Sequence, residues 1–363
     1  MDKIRLLIID DSALIRTMLT KIFESSDAIE VVGTAADPII ARDKIKKLKP
    51  DVLTLDIEMP RMDGLTFLGN LMRLRPMPVV MISTLTEKGA EVTLDALALG
   101  AVDFVAKPKV DVANSLTAYA DNIIEKVKAA AQANVRPASN VAKKHKSSPI
   151  AAQISEKLGA DAVIKAAAPK KHFATTDKII ALGSSTGGTE AVKAVVKDLP
   201  RTTPAIIISQ HLPIAFSASF AKHVNEVTEM NAFVAEDGQE IKSGNIYIAP
   251  GDKHLLVTRN GARYVVQLND GPPVNRHKPS VDVMFRSVAQ NVGSNAIGVM
   301  LTGMGGDGAK AMKEMRDAGS TNVIQDEATS VVWGMPGEAY RQGAANYVQP
   351  LDRVAAQILA LAK

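Results

Sequence analysis

Two groups of residues in this chain have the types and spacing to do chemistry. The first is acidic. Asp10 and Asp11 follow the apolar run Ile4–Ile9, Asp56 follows Val52–Leu55, Ser83 and Thr84 close Val79–Ile82, and Lys107-Pro108 follow Phe104–Ala106. If these runs are parallel strands, their ends converge on one rim, where open α/β sheets place ligands. Three carboxylates gathered there repel one another unless a divalent cation sits among them. Mg²⁺ suits the set, since it takes a few carboxylates together with water and phosphate oxygens. Asp56 is then the nucleophile that accepts a phosphoryl group as an acyl phosphate. Asp10 and Asp11 hold the metal with the backbone carbonyl of Glu58, Lys107 pairs with the phosphate, and the Ser83 hydroxyl bonds one of its oxygens.

The second group is a hydroxyl, an imidazole and a carboxylate. Gly183-Ser184-Ser185-Thr186-Gly187 fits the G-x-S-x-G turn that exposes a serine above a sheet. A Gly-rich turn can also cradle a phosphate on backbone N–H groups. This one, however, lacks the Gly-Lys-Ser/Thr ending of a P-loop and the spacing of a dinucleotide fingerprint. A serine hydroxyl needs a base at neutral pH. Of the six histidines, His145 and His172 fall in a basic low-complexity stretch, His223 in a helical run, and His254 and His277 in loops without evident partners. His211 instead closes the run Ala205–Ser209, one βα unit after Ser185. Asp307 lies in the glycine-rich loop Thr302–Gly308, where an acid can orient an imidazole. It can equally cap a helix, and spacing alone leaves both roles open. Backbone N–H groups of Thr186 and Met304 are candidates for an oxyanion hole.

These residues need a scaffold. Through residue 128, β-rich runs alternate with helical patterns (Leu14–Phe23, Ile39–Leu48, Leu65–Leu74, Val92–Leu99, Leu116–Val127), which predicts five βα units and a doubly wound parallel sheet. The alternation resumes at Lys178, with strand-like runs at Ile179–Leu182, Ala205–Ser209, Ala296–Leu301 and Asn322–Gln325 and a hairpin about Asn260-Gly261. Two α/β domains are therefore expected, a flavodoxin-like one over 1–128 and a Rossmann-like one over 176–363. A flexible basic linker is expected over 129–175, with one weakly helical stretch at Ile150–Leu158. A chain of 363 residues suits two cores better than one.

Charge supports that division. Residues 128–176 hold nine Lys/Arg against two Asp/Glu, so this stretch carries +7 of a chain whose net charge is only +4. The remainder is −3, and the excess reads as a solvated, self-repelling tether rather than a nucleic-acid surface. The second half has no short basic helix-turn-helix, which argues against a DNA-binding output. Absence of cysteine excludes disulfides and thiolate metal sites and is compatible with the cytoplasm. No apolar run approaches the length of a membrane span, and Ile4–Ile9 is too short for a signal-peptide core.

The motifs resemble known families. Asp10-Asp11, Asp56, the stretch to Gly64, Ser83, Phe104 and Lys107-Pro108 resemble the response-regulator receiver domain. That resemblance implies phosphorylation at Asp56 and a Phe104 rotamer that responds to it. The second half carries Gly-x-Ser-Thr-Gly-Gly, Ser209-Gln-His-Leu-Pro213, Ile248–His254, Gly271–His277 and Leu301–Gly308, which look like the chemotaxis protein-glutamate methylesterase (CheB) family. The resemblance implies Ser185 as nucleophile, His211 as base and Asp307 as its partner, and the chain order Ser, His, Asp agrees with it. Ser184 stands where that family often has Ala. The same resemblance implies hydrolysis of γ-glutamyl methyl esters, and deamidation of selected glutamines, on methyl-accepting chemoreceptors. A chemotaxis histidine kinase is the implied phosphodonor. The enzyme is expected at receptor arrays without being inserted in the membrane. Mg²⁺ is expected to serve phosphorylation only, with no cofactor for the ester chemistry. The unphosphorylated receiver is expected to cover the hydrolase cleft.

Overall fold

A computed structural model describes residues 3–59, 61–84, 86–107, 113–135, 158–167 and 177–363. It divides into two compact units, Met1–His145 and Lys146–Lys363. The expected helical stretch Ile150–Leu158 up to residue 157, most of the expected linker, and Pro108 lie outside the described residues.

The first unit runs β1 (Ile4–Ile9), α1 (Ala13–Glu24), β2 (Ile29–Ala35), α2 (Pro38–Leu48), β3 (Val52–Asp56), α3 (Gly64–Leu74), β4 (Val79–Ser83), α4 (Glu87–Ala98), β5 (Asp103–Ala106) and α5 (Ala113–Ala131). The strands form one sheet in the order β2-β1-β3-β4-β5, and every neighbouring pair is parallel. β3 and β4 are buried along their whole length, as strands covered on both faces must be, which is why they read as continuous apolar runs. Ser12, Asp37, Asp63 and Thr86 each accept a backbone N–H from the first turn of the helix they precede. Gly64 has no alternative residue, because a Cβ there would stand 2.1 Å from the Asp56 carbonyl oxygen. The last helix ends at Ala131, three residues beyond the boundary expected from sequence.

The second unit follows with β6 (Ile179–Ser184), α6 (Gly188–Val196), β7 (Ala205–Gln210), α7 (Ile214–Val227), β8 (Asn231–Val234), β9 (Asn245–Ile248), β10 (His254–Asn260), β11 (Arg263–Asn269), α8 (Val281–Asn291), β12 (Ala296–Met300), α9 (Ala309–Asp317), β13 (Thr321–Gln325), α10 (Met335–Arg341), β14 (Tyr347–Gln349) and α11 (Leu351–Ala362). Seven strands make a parallel sheet in the order β14-β13-β12-β6-β7-β9-β8. β10 and β11 form the expected antiparallel hairpin, with Gly261 at φ 62° in its turn. The short strands β8, β9 and β14 were not expected. Four or fewer residues with an exposed or half-buried side give no clear period.

Strand order departs from chain order at β6. From there the chain builds outward through β7, then returns to lay β12 on the opposite edge of β6. Such a reversal opens a crevice at the carboxyl ends of the central strands. Helix α8 lies behind that crevice, and every one of its residues is buried.

Part of the expected linker is ordered. Residues 158–167 include a 3₁₀ turn at Ala160–Ala162 and dock on α8. Arg286 of α8, 1% exposed, makes the dock. Its guanidinium binds Glu314 at 2.6 and 2.8 Å, and its Nη1 donates to Asp161 Oδ1 at 3.0 Å and to the Ile164 carbonyl at 3.1 Å. A buried arginine needs every donor occupied, and this segment supplies two acceptors that α8 and α9 do not. Residues 158–167 of the expected linker are therefore tied to α8 within the second unit.

Candidate active sites: an acidic cleft and a serine–histidine–aspartate array

In the first unit, Asp10, Asp11 and Asp56 present carboxylate oxygens within 4.8 Å of one another at the carboxyl ends of β1 and β3. Asp10 and Asp56 are buried, and Asp11 is exposed. Lys107 Nζ, at the end of β5, binds Asp56 Oδ2 at 2.8 Å and stands 3.9 Å from Asp10 Oδ2. A cleft of about 570 Å³ opens here, lined in part by Asp11, Asp56, Glu58 and Ser83. Glu58 itself is exposed, and its peptide N–H faces the Asp56 carboxylate. The Ser83 hydroxyl accepts from Thr93 Oγ1 at 2.6 Å. Phe104 is buried, with Lys126 Nζ 5.1 Å from its ring centre.

Burial pushes Asp56 up to about 6. The hydrogen bond from Lys107 works against that shift, and the charge of Asp10 adds to it. Burial also raises Asp10. Lys107 is raised despite its own burial, because Asp56 and Asp10 favour its charged form. Asp10 Oδ2 and Asp56 Oδ1 are buried without a hydrogen-bond donor. Acceptor-only oxygens so placed fit a hard divalent cation. A folded carboxyl that titrates near 6 holds a proton that the unfolded chain has already released. The metal-free domain therefore loses stability as pH rises from about 4 to about 6. Mg²⁺, which binds the ionised form, is expected to raise the thermal midpoint at pH 7 and much less at pH 5. At a hundredfold excess over Kd the gain is about 2.7 kcal/mol. Calorimetry with and without Mg²⁺ checks this, and no shift at pH 7 would remove the metal site.

In the second unit, three adjacent strands deliver the three residues. Ser185 follows β6, His211 follows its neighbour β7, where Ser184 pairs with Gln210, and Asp307 follows β12 on the other side of β6. His211 Nδ1 lies 3.1 Å from Ser185 Oγ, and its Nε2 lies 2.8 Å from Asp307 Oδ2. An ionised carboxylate only accepts, so Nε2 carries the proton and Nδ1 is left to accept from Ser185. Ser184 does not share this geometry. It is fully buried and its hydroxyl donates to Gln210 Oε1 at 2.5 Å, while Gln210 Nε2 donates to the Ser185 carbonyl at 3.0 Å. The Ser185 turn is pinned by its own N–H, which donates to the Thr302 carbonyl at 3.0 Å. Thr186 and Met304, the residues expected to donate to an oxyanion, follow Ser185 and Gly303 on the two facing loops.

Asp307 also caps a helix, but not the one that follows it. The N-cap of α9 is Gly308, without a side-chain bond. Asp307 instead accepts the N–H groups of Val281 (2.7 Å) and Asp282 (3.3 Å) at the start of α8. Ser280 Oγ and Asn275 Nδ2 donate to its Oδ1 at 2.8 and 2.7 Å. The positive end of a helix and these donors favour a carboxylate. Burial opposes the charge, but the hydrogen bond from His211, the imidazoles of His211 and His277 and the bond from Asn275 hold Asp307 below the usual carboxylate range.

Four site residues were not found by sequence reasoning. His277 stacks on His211, ring centres 3.7 Å apart and planes 8° apart. His254 is buried. It accepts the Ser280 N–H on Nδ1 and faces the Pro272 carbonyl with Nε2, so it is a neutral prop for the residue that supports Asp307. Ser280 and Asn275 reach Asp307 directly. The available signals were the strings Ile248–His254 and Gly271–His277, which hold His254, Asn275 and His277 but whose partners lie far away in sequence. His223 stays in α7, outside this array.

The chain is similar to known proteins along its length. A family model described as CheB methylesterase matches residues 180–358, and one described as a response regulator receiver domain matches residues 6–119. The protein-glutamate methylesterase/protein-glutamine glutaminase of Hydrogenovibrio crunogenus is 57% identical, covering 100% of both chains. The enzyme of that name, numbered 1, from Xanthomonas euvesicatoria pv. vesicatoria is 55% identical over 99% of this chain and 97% of its own. The crystal structure of the Thermotoga maritima CheB methylesterase catalytic domain is 35% identical with a TM-score of 0.50, covering 51% of this chain and 98% of that one. Similarity of this degree along the whole chain places the protein in the protein-glutamate methylesterase/protein-glutamine glutaminase family, with a receiver domain followed by a CheB methylesterase domain.

Proposed function

We propose that this chain hydrolyses γ-glutamyl methyl esters on methyl-accepting chemoreceptors and deamidates receptor glutamines at the same site, under control of phosphorylation at Asp56. The observation that carries the proposal is the Ser185–His211–Asp307 hydrogen-bond array, with Asp307 kept ionised by α8, Ser280 and Asn275.

Ser185 Oγ attacks the ester carbonyl while His211 Nδ1 takes its proton. Asp307 stabilises the imidazolium through Nε2–H. The backbone N–H groups of Thr186 and Met304 receive the oxyanion. Collapse returns the proton from Nδ1 to the leaving methoxide, methanol departs, and the glutamyl group stays on Ser185. Water, deprotonated by the same nitrogen, then releases glutamate. A glutamine side chain gives the same acyl-enzyme with loss of ammonia. No cofactor enters this sequence.

In the receiver, Asp56 accepts a phosphoryl group from a chemotaxis histidine kinase. Asp10, Asp11 and Asp56, with the Glu58 carbonyl, would hold Mg²⁺, which when bound would offset the charge crowding of carboxylates and phosphate. Lys107 pairs with the phosphate and Ser83 bonds one of its oxygens, biasing a pre-existing equilibrium toward the active enzyme. Phe104 is the side chain expected to change rotamer. Among the described residues no helix is long and apolar enough to cross a membrane, and the proposed place of action is the cytoplasm beside the receptors.

The direct test is methanol release from membranes bearing methylated receptors, with and without an acyl-phosphate donor. No release under either condition refutes the assignment. A second test concerns the loop that faces the nucleophile. A Cβ at Gly303 would stand 2.9 Å from Ser185 Cβ and 2.4 Å from Met335 Sδ. Gly303→Ala is therefore expected to destabilise the domain by about 1–3 kcal/mol and to lower kcat by about tenfold or more by displacing Ser185. Wild-type turnover in this variant would mean that the loop does not set the nucleophile.

A further inference from the structure

The carboxylate of the array and the segment 158–167 share a support. Asn275 has φ 51° and Arg276 φ 71°, so the chain makes a left-handed turn in which asparagine is one of the few comfortable residues. Both hydrogens of the Asn275 amide are used. Nδ2 donates to Asp307 Oδ1 at 2.7 Å and to Asp282 Oδ2 at 2.7 Å. The backbone N–H of the same residue donates to the Leu158 carbonyl at 2.9 Å. Leu158 begins the segment that Arg286 holds through Asp161 and the Ile164 carbonyl, and that Gln290 holds through the Lys165 carbonyl at 2.8 Å. Arg286 and Gln290 lie on α8, the helix whose first turn binds Asp307.

Asp282 and Asp307 are two buried carboxylates in one pocket, and the Asn275 amide stands between them. A donor shared by both damps their repulsion and fixes Asp307 Oδ1, leaving Oδ2 aimed at His211. Burial and the charge of Asp307 raise Asp282, and the hydrogen bonds from the Ala311 N–H and the Asn275 amide oppose that shift.

We propose that Asn275 is a positioning residue for Asp307, and that segment 158–167 holds Asn275 in place. Turnover then depends on a stretch near the start of the second unit, ahead of β6. Displacing this stretch withdraws a support from the carboxylate without touching Ser185 or His211. The inference rests on reading Asp307 as the partner of His211.

The test uses the full-length chain and methanol release. Asn275→Gly keeps the left-handed backbone and its N–H but removes the amide. It is expected to lower kcat by about tenfold or more through loss of the charge-assisted bond to Asp307, with KM within about twofold. The double variant Asp161→Ala/Gln290→Ala loosens the segment and leaves the loop residues intact. It is expected to lower kcat about threefold to tenfold and to expose the Asn275 amide to hydrogen exchange. Combining both sets is expected to cost little more than Asn275→Gly alone, because they act through one residue. Wild-type kcat in Asn275→Gly, or effects that multiply in the combination, overturns the proposal. If Asn275→Gly does not fold, the double variant decides: unchanged kcat with an exposed Asn275 amide also overturns it. Activity surviving in Ser185→Ala would sink the array itself. Inactive Ser185→Ala beside a fully active Asn275→Gly sinks only this inference.

Discussion

Ser185→Ala is expected to reduce methanol release by about ten-thousandfold or more, while Ser184→Ala stays within about tenfold of wild type. The contrast follows from geometry. Ser185 Oγ is 3.1 Å from His211 Nδ1, whereas the Ser184 hydroxyl is buried and committed to Gln210. Removing the Ser184 hydroxyl loosens Gln210, which also holds the Ser185 carbonyl, so a modest loss is expected rather than none. Single-turnover assays with a trapped acyl-enzyme separate the two serines directly. Covalent label on residue 184 would reverse the assignment. Asp307→Asn belongs to the same experiment. Asparagine offers only one acceptor oxygen to a pocket built from donors, and a loss on the order of ten-thousandfold is expected because Nε2–H loses its acceptor.

The second large effect concerns control. An acyl-phosphate donor is expected to stimulate methanol release by about 5–150-fold, the range of ordinary coupling free energies. Asp56→Asn should abolish that stimulation entirely. Lys107→Ala should reduce it strongly, since Lys107 Nζ is the cation 2.8 Å from the Asp56 carboxylate. A truncated chain beginning near residue 158 separates restraint from activation. If the receiver restrains the hydrolase, removing it raises basal turnover. Unchanged turnover would mean that phosphorylation activates by another route. The truncation should begin no later than residue 158, because residues 158–167 belong to the hydrolase unit.

Much of the fold was legible because parallel sheets impose a simple code. A strand buried on both faces must be an apolar run, and Val52–Leu55 and Val79–Ile82 could be read without ambiguity. The chemical residues sit where such runs stop, so Asp56, Ser83, Ser185 and His211 were marked by position as well as by type. β8, β9 and β14 were not legible, because each is three or four residues long and, unlike the equally short β5 with Lys107 at its end, none was marked by a candidate site residue. Their pairing comes from neighbours in the sheet, which no local pattern records. The charge of 128–176 suggested one solvated tether. What it hid was Asp161, a single acid whose partner, Arg286, lies 125 residues away.

Sequence alone therefore determined which residues could react: an acidic set at the ends of β1, β3, β4 and β5, and a serine, a histidine and an aspartate at the ends of β6, β7 and β12. It did so because strand period and motif spacing are local properties. Tertiary structure decided how the second set is held. Asp307 could be an N-cap or the partner of an imidazole. In the fold it binds His211 while capping α8, a helix that precedes it in the chain. His277, His254, Ser280 and Asn275 joined the site only when β12 was laid beside β6 and brought the Asp307 loop against α8. Those contacts depend on long-range packing of a buried charge that must find donors wherever the fold supplies them, and no spacing in the sequence encodes that search.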